Sequence, residues 1–350
     1  MHRVLLVLFC LTATIATRAQ ELAYRQFTVK DGLPGSIVYH CLQDRKGFIW
    51  FATNQGVSRF DGRTFRTFTK KDGLPDNDIL QIYLDRFDNV WFISFIGIPS
   101  VMHNDSIIRF DNCPGVNAIS EDRQTDSILL IADIRSTDQA GYYRSLDSPG
   151  CWKFTSDIHS RQLYDQLGIV RAITPDNTEF CFSSSRKANG TGLVVENGRA
   201  KSRFVFRSSY IQDDPSFTRQ IFLSPCGNSL VFLTYDSAYY AGISQLSPLF
   251  SLHRLGLNLG LNSYVNCVYC ENDSTLWLCA RNQGLLRLRN FKTGHFTVTH
   301  FFPRSDCTNI IKDKEGGYWV TTFSDGVFYL PNLCFNTLPC PADLSVSSVR

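Results

Sequence analysis

Residues 31–68 read DGLPGSIVYHCLQDRKGFIWFATNQGVSRFDGRTFRTF, and residues 72–95 begin the same phrase again as DGLPDNDILQIYLDRFDNVWFISF. Asp31 recurs as Asp72, Asp44 as Asp85 and Trp50 as Trp91, each forty-one residues on. Within the first copy, strands are expected at 37–42 and 48–53, separated by the turn Asp44-Arg45-Lys46-Gly47. Asn54-Gln55-Gly56 turns the chain into a third strand at 57–60. Asp61-Gly62 then makes a hairpin, because Asp-Gly readily takes the positive φ angles of a tight two-residue turn. A fourth strand runs through Phe65 and Phe68 before Asp72-Gly73-Leu74-Pro75 opens the next unit.

A period in the forties built from β-strands predicts a propeller. The second strands support it. FIWFA, NVWFISF, SLVFL and TLWLCA are apolar on both faces, as strands covered on both sides must be. The six-residue interval from turn Asp to Trp serves as a ruler for further units. Asp313 to Trp319 repeats it, followed by Gly326; Glu271 to Trp277 repeats it, followed by Asn282-Gln283-Gly284. Between these units the pattern decays. Asp176 precedes Phe182 and Pro225 precedes Val231 at the same distance, and 127–132 carries leucines in place of the tryptophan. Trp50, Trp91, Leu129, Phe182, Val231, Trp277 and Trp319 mark seven units. The expected fold is an all-β, seven-bladed β-propeller of four-stranded antiparallel blades.

Closure follows from an imbalance at the two ends. The last unit lacks a clear fourth strand, since Pro331 and Pro339 follow its third. Residues 24–30 look like a fourth strand with no first three before it. The amino-terminal strand is therefore expected to complete the last blade, which removes the open sheet edge.

The first residues, MHRVLLVLFCLTATIATRAQ, combine a charged start, a short apolar run and a small-residue exit, and read as a signal peptide over 1–19. The propeller is expected over 20–333, and 334–350 as a lead-out toward a further domain. The protein is thus expected in the periplasm or secreted. Loss of Arg3 and Arg18 leaves 33 basic against 32 acidic residues, which gives no electrostatic footprint for nucleic acid. Eleven of the twelve cysteines remain, several inside apolar strand runs, and they read as buried thiols rather than a disulfide framework.

GLP, then D-x-x-G-x-(I/V)-W, then G-(V/L)-x-R-(F/L), resembles the two-component regulator propeller repeat. The match is close at 31–68 and 72–95, good at 264–289 and 306–330, and weak from 113 to 260. Such repeats build the periplasmic sensing half of Bacteroidetes-type sensor histidine kinases, some of which sense glycan fragments. The resemblance implies a non-catalytic, ligand-sensing ring and a small ligand or oligosaccharide. It also implies a homodimer through sensor domains and a histidine kinase output domain on a continuing or partner chain. The competing classes are a secreted propeller enzyme, either glycoside hydrolase or polysaccharide lyase, and a stand-alone protein-interaction propeller.

Most of the recurring residues read as scaffold. Asp44, Asp85 and Asp313 are expected to cap backbone N–H groups of their own turns, as Asp does in Asx-turns. Gly47, Gly56, Gly284 and Gly326 sit at turns, and Trp50, Trp91, Trp277 and Trp319 recur in frame with the blades. Cys267-x-x-Cys270 has metal-ligand spacing, but residues three apart on a strand point to opposite faces. No metal and no cofactor is expected. Candidate ligand residues fall where the repeat breaks. Arg135 and the pair Arg186 and Lys187 lie in long expected loops at 134–140 and 184–191, and Trp152 lies off the tryptophan frame on an outer strand.

Overall fold

The computed structural model describes residues 23–111, 115–122, 127–132, 141–145, 152–155, 170–173, 179–185, 190–197, 200–206, 222–226, 229–233, 238–242, 253–255, 265–293, 295–331 and 333. The expected signal peptide at 1–19 and lead-out at 334–350 lie outside the described residues.

Among the described residues the strands form seven antiparallel sheets of four. The first sheet runs β2 (Val38–Gln43), β3 (Ile49–Thr53), β4 (Gly56–Phe60), β5 (Phe65–Phe68). The second runs β6 (Ile79–Leu84), β7 (Val90–Ser94), β8 (Pro99–His103), β9 (Ser106–Arg109). The third is β10 (Val116–Asp122), β11 (Ser127–Ala132), β12 (Gly141–Ser145), β13 (Trp152–Thr155). The fourth is β14 (Val170–Ile173), β15 (Glu179–Ser185), β16 (Gly190–Asn197), β17 (Ala200–Phe206). The fifth is β18 (Phe222–Cys226), β19 (Ser229–Leu233), β20 (Ala238–Gly242), β21 (His253–Leu255). The sixth is β22 (Val265–Asn272), β23 (Thr275–Ala280), β24 (Gly284–Arg289), β25 (Thr297–Phe301). The last contains β26 (Cys307–Lys312), β27 (Tyr318–Thr322) and β28 (Val327–Leu330), and its fourth strand is β1 (Arg25–Phe27).

β1 pairs antiparallel with β28, Phe27 opposite Val327. It is shorter than the 24–30 read from sequence. Thr28 caps a single 3-10 turn over Val29–Asp31, which removes those residues from the ladder. The same device recurs forty-one residues later, with Thr69 capping Lys70–Asp72. In both, the aspartate accepts from the threonine N–H at 2.8 Å and from its hydroxyl at 3.0 Å. The glycine takes the positive φ, +111° at Gly32, that ends the turn. The leucine that follows, Leu33 or Leu74, is buried among residues of two sheets. The repeated DGLP is therefore a capped turn whose leucine plugs the seam between one sheet and the next.

Burial follows strand position. Every residue of β3, β7, β23 and β27 is buried, whereas four of the five residues of the outer strand β25 are exposed. First strands adjoin in the series β14, β18, β22, β26, β2, β6, and β10 meets β7. The core is consequently divided into slabs between sheets. Trp50 and Phe68 pack with Ile79, Ile82 and Phe92 of the following sheet, and Trp277 packs with Cys307, Ile310 and Val320 of the sheet after it. Burial of each such side chain contributes roughly 1.5–3 kcal/mol.

Two features of the strands go beyond the sequence reading, one in a weaker unit and one shared by strong and weak units. Pro225 lies within β18 opposite Leu230, not at a turn, because only 227–228 connect β18 to β19. In five first strands the register shifts by one residue, at Val38/His40, Ile79/Gln81, Val116/Ala118, Val265/Cys267 and Cys307/Asn309. These β-bulges bend the strand and re-aim the residues beside them.

Candidate functional site

At one end of the sheets lie the Asp–Trp turns. Asp44 accepts from its own turn, Phe48 N–H to Oδ1 at 2.9 Å, as the sequence suggests. Its second oxygen accepts from the Trp50 indole Nε1 at 2.8 Å, a contact the sequence reading missed. Asp85 and Trp91 repeat the indole bond at 2.8 Å, and Asp313 and Trp319 at 2.9 Å. The constant six-residue spacing was its signal. One carboxylate satisfies a turn amide and a buried indole together, leaving neither orphaned. Glu271 replaces the aspartate in the sixth sheet, accepting from Trp277 Nε1 at 2.9 Å and from Arg287 at 2.8 Å. Burial pushes its carboxyl up, but hydrogen bonds from Tyr318, Trp277 and Arg287 outweigh that and hold it below the ordinary range. Gly47 adopts a φ of +95° in open space at its turn. Gly56, Gly284 and Gly326 are different: a Cβ there would stand 2.2–2.3 Å from a carbonyl oxygen of Phe68, Phe302 or Phe27. All these groups serve the scaffold.

The opposite end gathers the starts of first strands and the connections between second and third strands. There the three adjoining sheets that contain β26, β2 and β6 present an apolar rim. Phe95 is 69% exposed, Ile96 47%, Leu80 38% and Phe323 36%. Tyr39 meets Phe323 edge to face, ring centroids 6.0 Å apart. Backbone bonds from Phe95 N–H to Asp78 O at 2.8 Å and from Phe323 N–H to Asp306 O at 3.0 Å hold these connections against the strand starts. Asp78 Oδ1 is buried and has no hydrogen-bond partner. The reason is visible two sheets away. Asp306, at the matching position, accepts from the Asn282 N–H at 2.8 Å, whereas the equivalent Gln55 N–H donates to Thr53 Oγ1. Burial, then the neighbouring Asp78 carboxylate, pushes the Tyr39 phenol up to about 12. Burial pushes the His40 imidazole down to about 4, so it is neutral at pH 7, and its Nδ1 is also unpartnered. The rim thus combines aromatic faces with a carboxylate that engages the Tyr39 hydroxyl and keeps one buried oxygen, Oδ1, without a donor.

Arg135, Arg186 and Lys187 lie outside the described residues. Trp152 begins β13 opposite Ser145 on an outer strand, and its side chain lies outside them too. The long connection expected at 184–191 is corrected. β15 runs to Ser185 and β16 starts at Gly190, so only 186–189 join them. The rim was missed because its residues look like ordinary strand-end apolar positions. The exposed pair Phe95-Ile96, where other units carry polar turns, was the available signal. Among the described residues, no group of three or more His, Cys, Asp or Glu could hold a metal ion, and no helix is long and apolar enough to cross a membrane.

Residues 32–55 match the family model described as "Two component regulator propeller". No curated protein matches the chain. Among solved structures, the extracellular domain of a putative hybrid two component system of B. thetaiotaomicron is 15% identical. It aligns over 89% of this chain and 42% of its own length, with a TM-score of 0.61. A second such domain from the same organism is 18% identical over 89% of this chain and 40% of its own, TM-score 0.62. A streptogramin B lyase is 13% identical over 88% of this chain and 96% of its own, TM-score 0.59. The chain spans about two fifths of the length of the two-component domains it resembles. The chain carries the two component regulator propeller repeat at residues 32–55, on an all-β, propeller-like fold of four-stranded antiparallel sheets.

Proposed function

We propose that this chain is the extracytoplasmic ligand-sensing propeller of a two-component signalling system, without catalysis of its own. In this reading the seven sheets are blades of one ring, exported by the 1–19 signal peptide and closed where β1 joins β28. The ligand is an oligosaccharide or similar small polyhydroxylated molecule, captured on the rim formed by Tyr39, Leu80, Phe95, Ile96 and Phe323. Capture is relayed by association of sensor domains to a histidine kinase on a continuing or partner chain.

The observation that carries the reading is the rim beside an unpartnered carboxylate oxygen. A sugar ring lays its C–H face on an aromatic ring while a hydroxyl donates to an acceptor, and Asp78 Oδ1, buried beneath Tyr39, becomes that acceptor when the Tyr39 side chain turns aside for the ligand. Arg135, Arg186, Lys187 and Trp152 remain proposed contributors from the eroded units.

A glycan array probed with the purified chain tests this, with product analysis of every bound oligosaccharide. Binding that Phe95→Ala weakens at least tenfold, with the glycan recovered intact, is the expected result. Cleaved or eliminated products would replace the sensor with a propeller hydrolase or lyase. Binding untouched by Tyr39→Ala and Phe95→Ala would move the site elsewhere.

A further inference from the structure

Cys267 of β22 and Cys279 of β23 are directly opposite one another in the antiparallel ladder. Their thiols lie close enough to shift each other's titration, Cys267 down and Cys279 up. Cys267 is half-buried, Cys279 fully buried, and neither is in a disulfide. The register shift between Val265 and Cys267 creates this pairing: without it, Asn266 would oppose Cys279. Asn309 of the next sheet closes over the pair. Its Nδ2 donates to Cys267 Sγ at 3.3 Å, and its Oδ1 accepts from Cys41 Sγ at 3.4 Å.

We propose that Cys267 and Cys279 form an oxidisable dithiol, a redox site in the wall between the sixth and last sheets, whose co-reactant is a low-molecular-mass disulfide. The neighbouring cysteines are excluded by placement. Cys41 is separated from Cys267 by the Asn309 amide that bonds to both. Cys270 stands opposite Leu276 and packs in a different apolar slab. Cys307 shares the apolar slab of Cys279 but stands on the next sheet, opposite Thr322, outside the ladder that sets Cys267 against Cys279. The pair is thus set by the ladder, not by the Cys267-x-x-Cys270 spacing.

The chemistry runs through Cys267. The Cys279 thiol above all, with the Ile310 backbone N–H and the Asn309 amide, stabilises its thiolate and holds it below the ordinary thiol range despite burial. Burial pushes Cys279 far above that range. The Cys267 thiolate attacks one sulfur of the external disulfide, forming a mixed disulfide and releasing one thiolate. Cys279 then loses its proton to solvent and attacks Cys267 Sγ, releasing the second thiolate. The protein loses two electrons and two protons, and one external disulfide becomes two thiols. Cβ atoms of directly opposed residues lie about 4.5–5.5 Å apart and a disulfide needs about 3.5–4.5 Å, so the ladder must tighten by about 1 Å. The adjacent bulge gives the backbone that slack.

The test uses the full chain, reduced and then equilibrated with glutathione disulfide, followed by unfolding in alkylating reagent and peptide mass mapping. The expected product is a Cys267–Cys279 cross-link, lighter by two hydrogens and restored by dithiothreitol. Cys279→Ser should trap glutathione on Cys267, and Cys267→Ser should leave Cys279 reduced. Alkylation of both residues in the wild-type chain after oxidation, or a cross-link between any other pair, overturns the proposal. Mapping of the wild-type chain decides the matter even if a variant fails to fold.

Discussion

The Tyr318 hydroxyl donates to Glu271 Oε1 at 2.6 Å, joining the last sheet to the turn of the sixth. The same carboxylate holds Trp277 and Arg287 through its other oxygen. Glutamate is long enough to hold the indole of its own sheet and reach the neighbouring one, while Asn272 takes over the turn amide that aspartate caps in the other units. Glu271→Asp should therefore uncouple the two sheets, lowering unfolding free energy by about 1–3 kcal/mol through the unpaired groups it leaves. Equal urea midpoints for the two proteins would remove the bridge from the stability account.

The pH dependence of that bridge has a definite sign. The folded Glu271 carboxyl titrates below its unfolded value, so its contribution is full above about 4.5 and is lost as pH falls through the folded value. Urea midpoints measured from pH 6 to pH 3 should fall more steeply for the wild type than for Glu271→Gln, and only below about 4.5.

His40 acts in a separate window. Its imidazole titrates near 4 in the fold against an ordinary value of 6.5, so the unfolded chain binds a proton that the folded chain refuses. Stability is full above 6.5 and declines as pH falls toward 4, by about 3 kcal/mol at 1.36 kcal/mol per unit. His40→Gln, neutral throughout, should flatten that segment of the midpoint–pH curve. A wild-type curve already flat from 6.5 to 4 would count against the burial of a neutral ring.

Asp85 satisfies two turn amides, the Asn89 side chain and the Trp91 indole. Asp85→Ala leaves them without an acceptor, and a loss of about 2–4 kcal/mol is expected. Asp61, an exposed hairpin aspartate that bonds only within its own turn, is the control. Asp61→Ala should cost far less by the same denaturation assay.

Phe27 stacks on Trp319 with centroids 5.5 Å apart and meets Phe60 and Phe65 edge to face. Phe27→Ala should cost about 3–5 kcal/mol. Gly326→Ala should act on the same joint, since its Cβ would stand 2.3 Å from the Phe27 carbonyl oxygen. Hydrogen exchange would then rise in β1 and β28 first, and uniform exchange across all sheets would contradict a local joint.

The spacings Asp44–Trp50, Asp85–Trp91 and Asp313–Trp319 marked turns and sheet seams because each lies within one hairpin, where local geometry and chain spacing are nearly the same thing. The unmatched strand before Asp31 marked the partner of β28, although Thr28 cut it shorter than the apolar pattern suggested. Indole-to-carboxylate bonding was written in the constant interval and went unread.

The period, the strand count per unit, the Asp-x-x-Gly turn and the buried second strand were all legible in the chain. Each rests on side-chain alternation and turn chemistry that act over a few residues. The tertiary structure alone decided which residues of different elements meet. A single bulge residue placed Cys267 rather than Asn266 opposite Cys279, and sheet adjacency brought Tyr318 to Glu271 and Tyr39 to Phe323. A one-residue change of register reverses the face of every side chain beyond it, and no local periodicity records where that change falls.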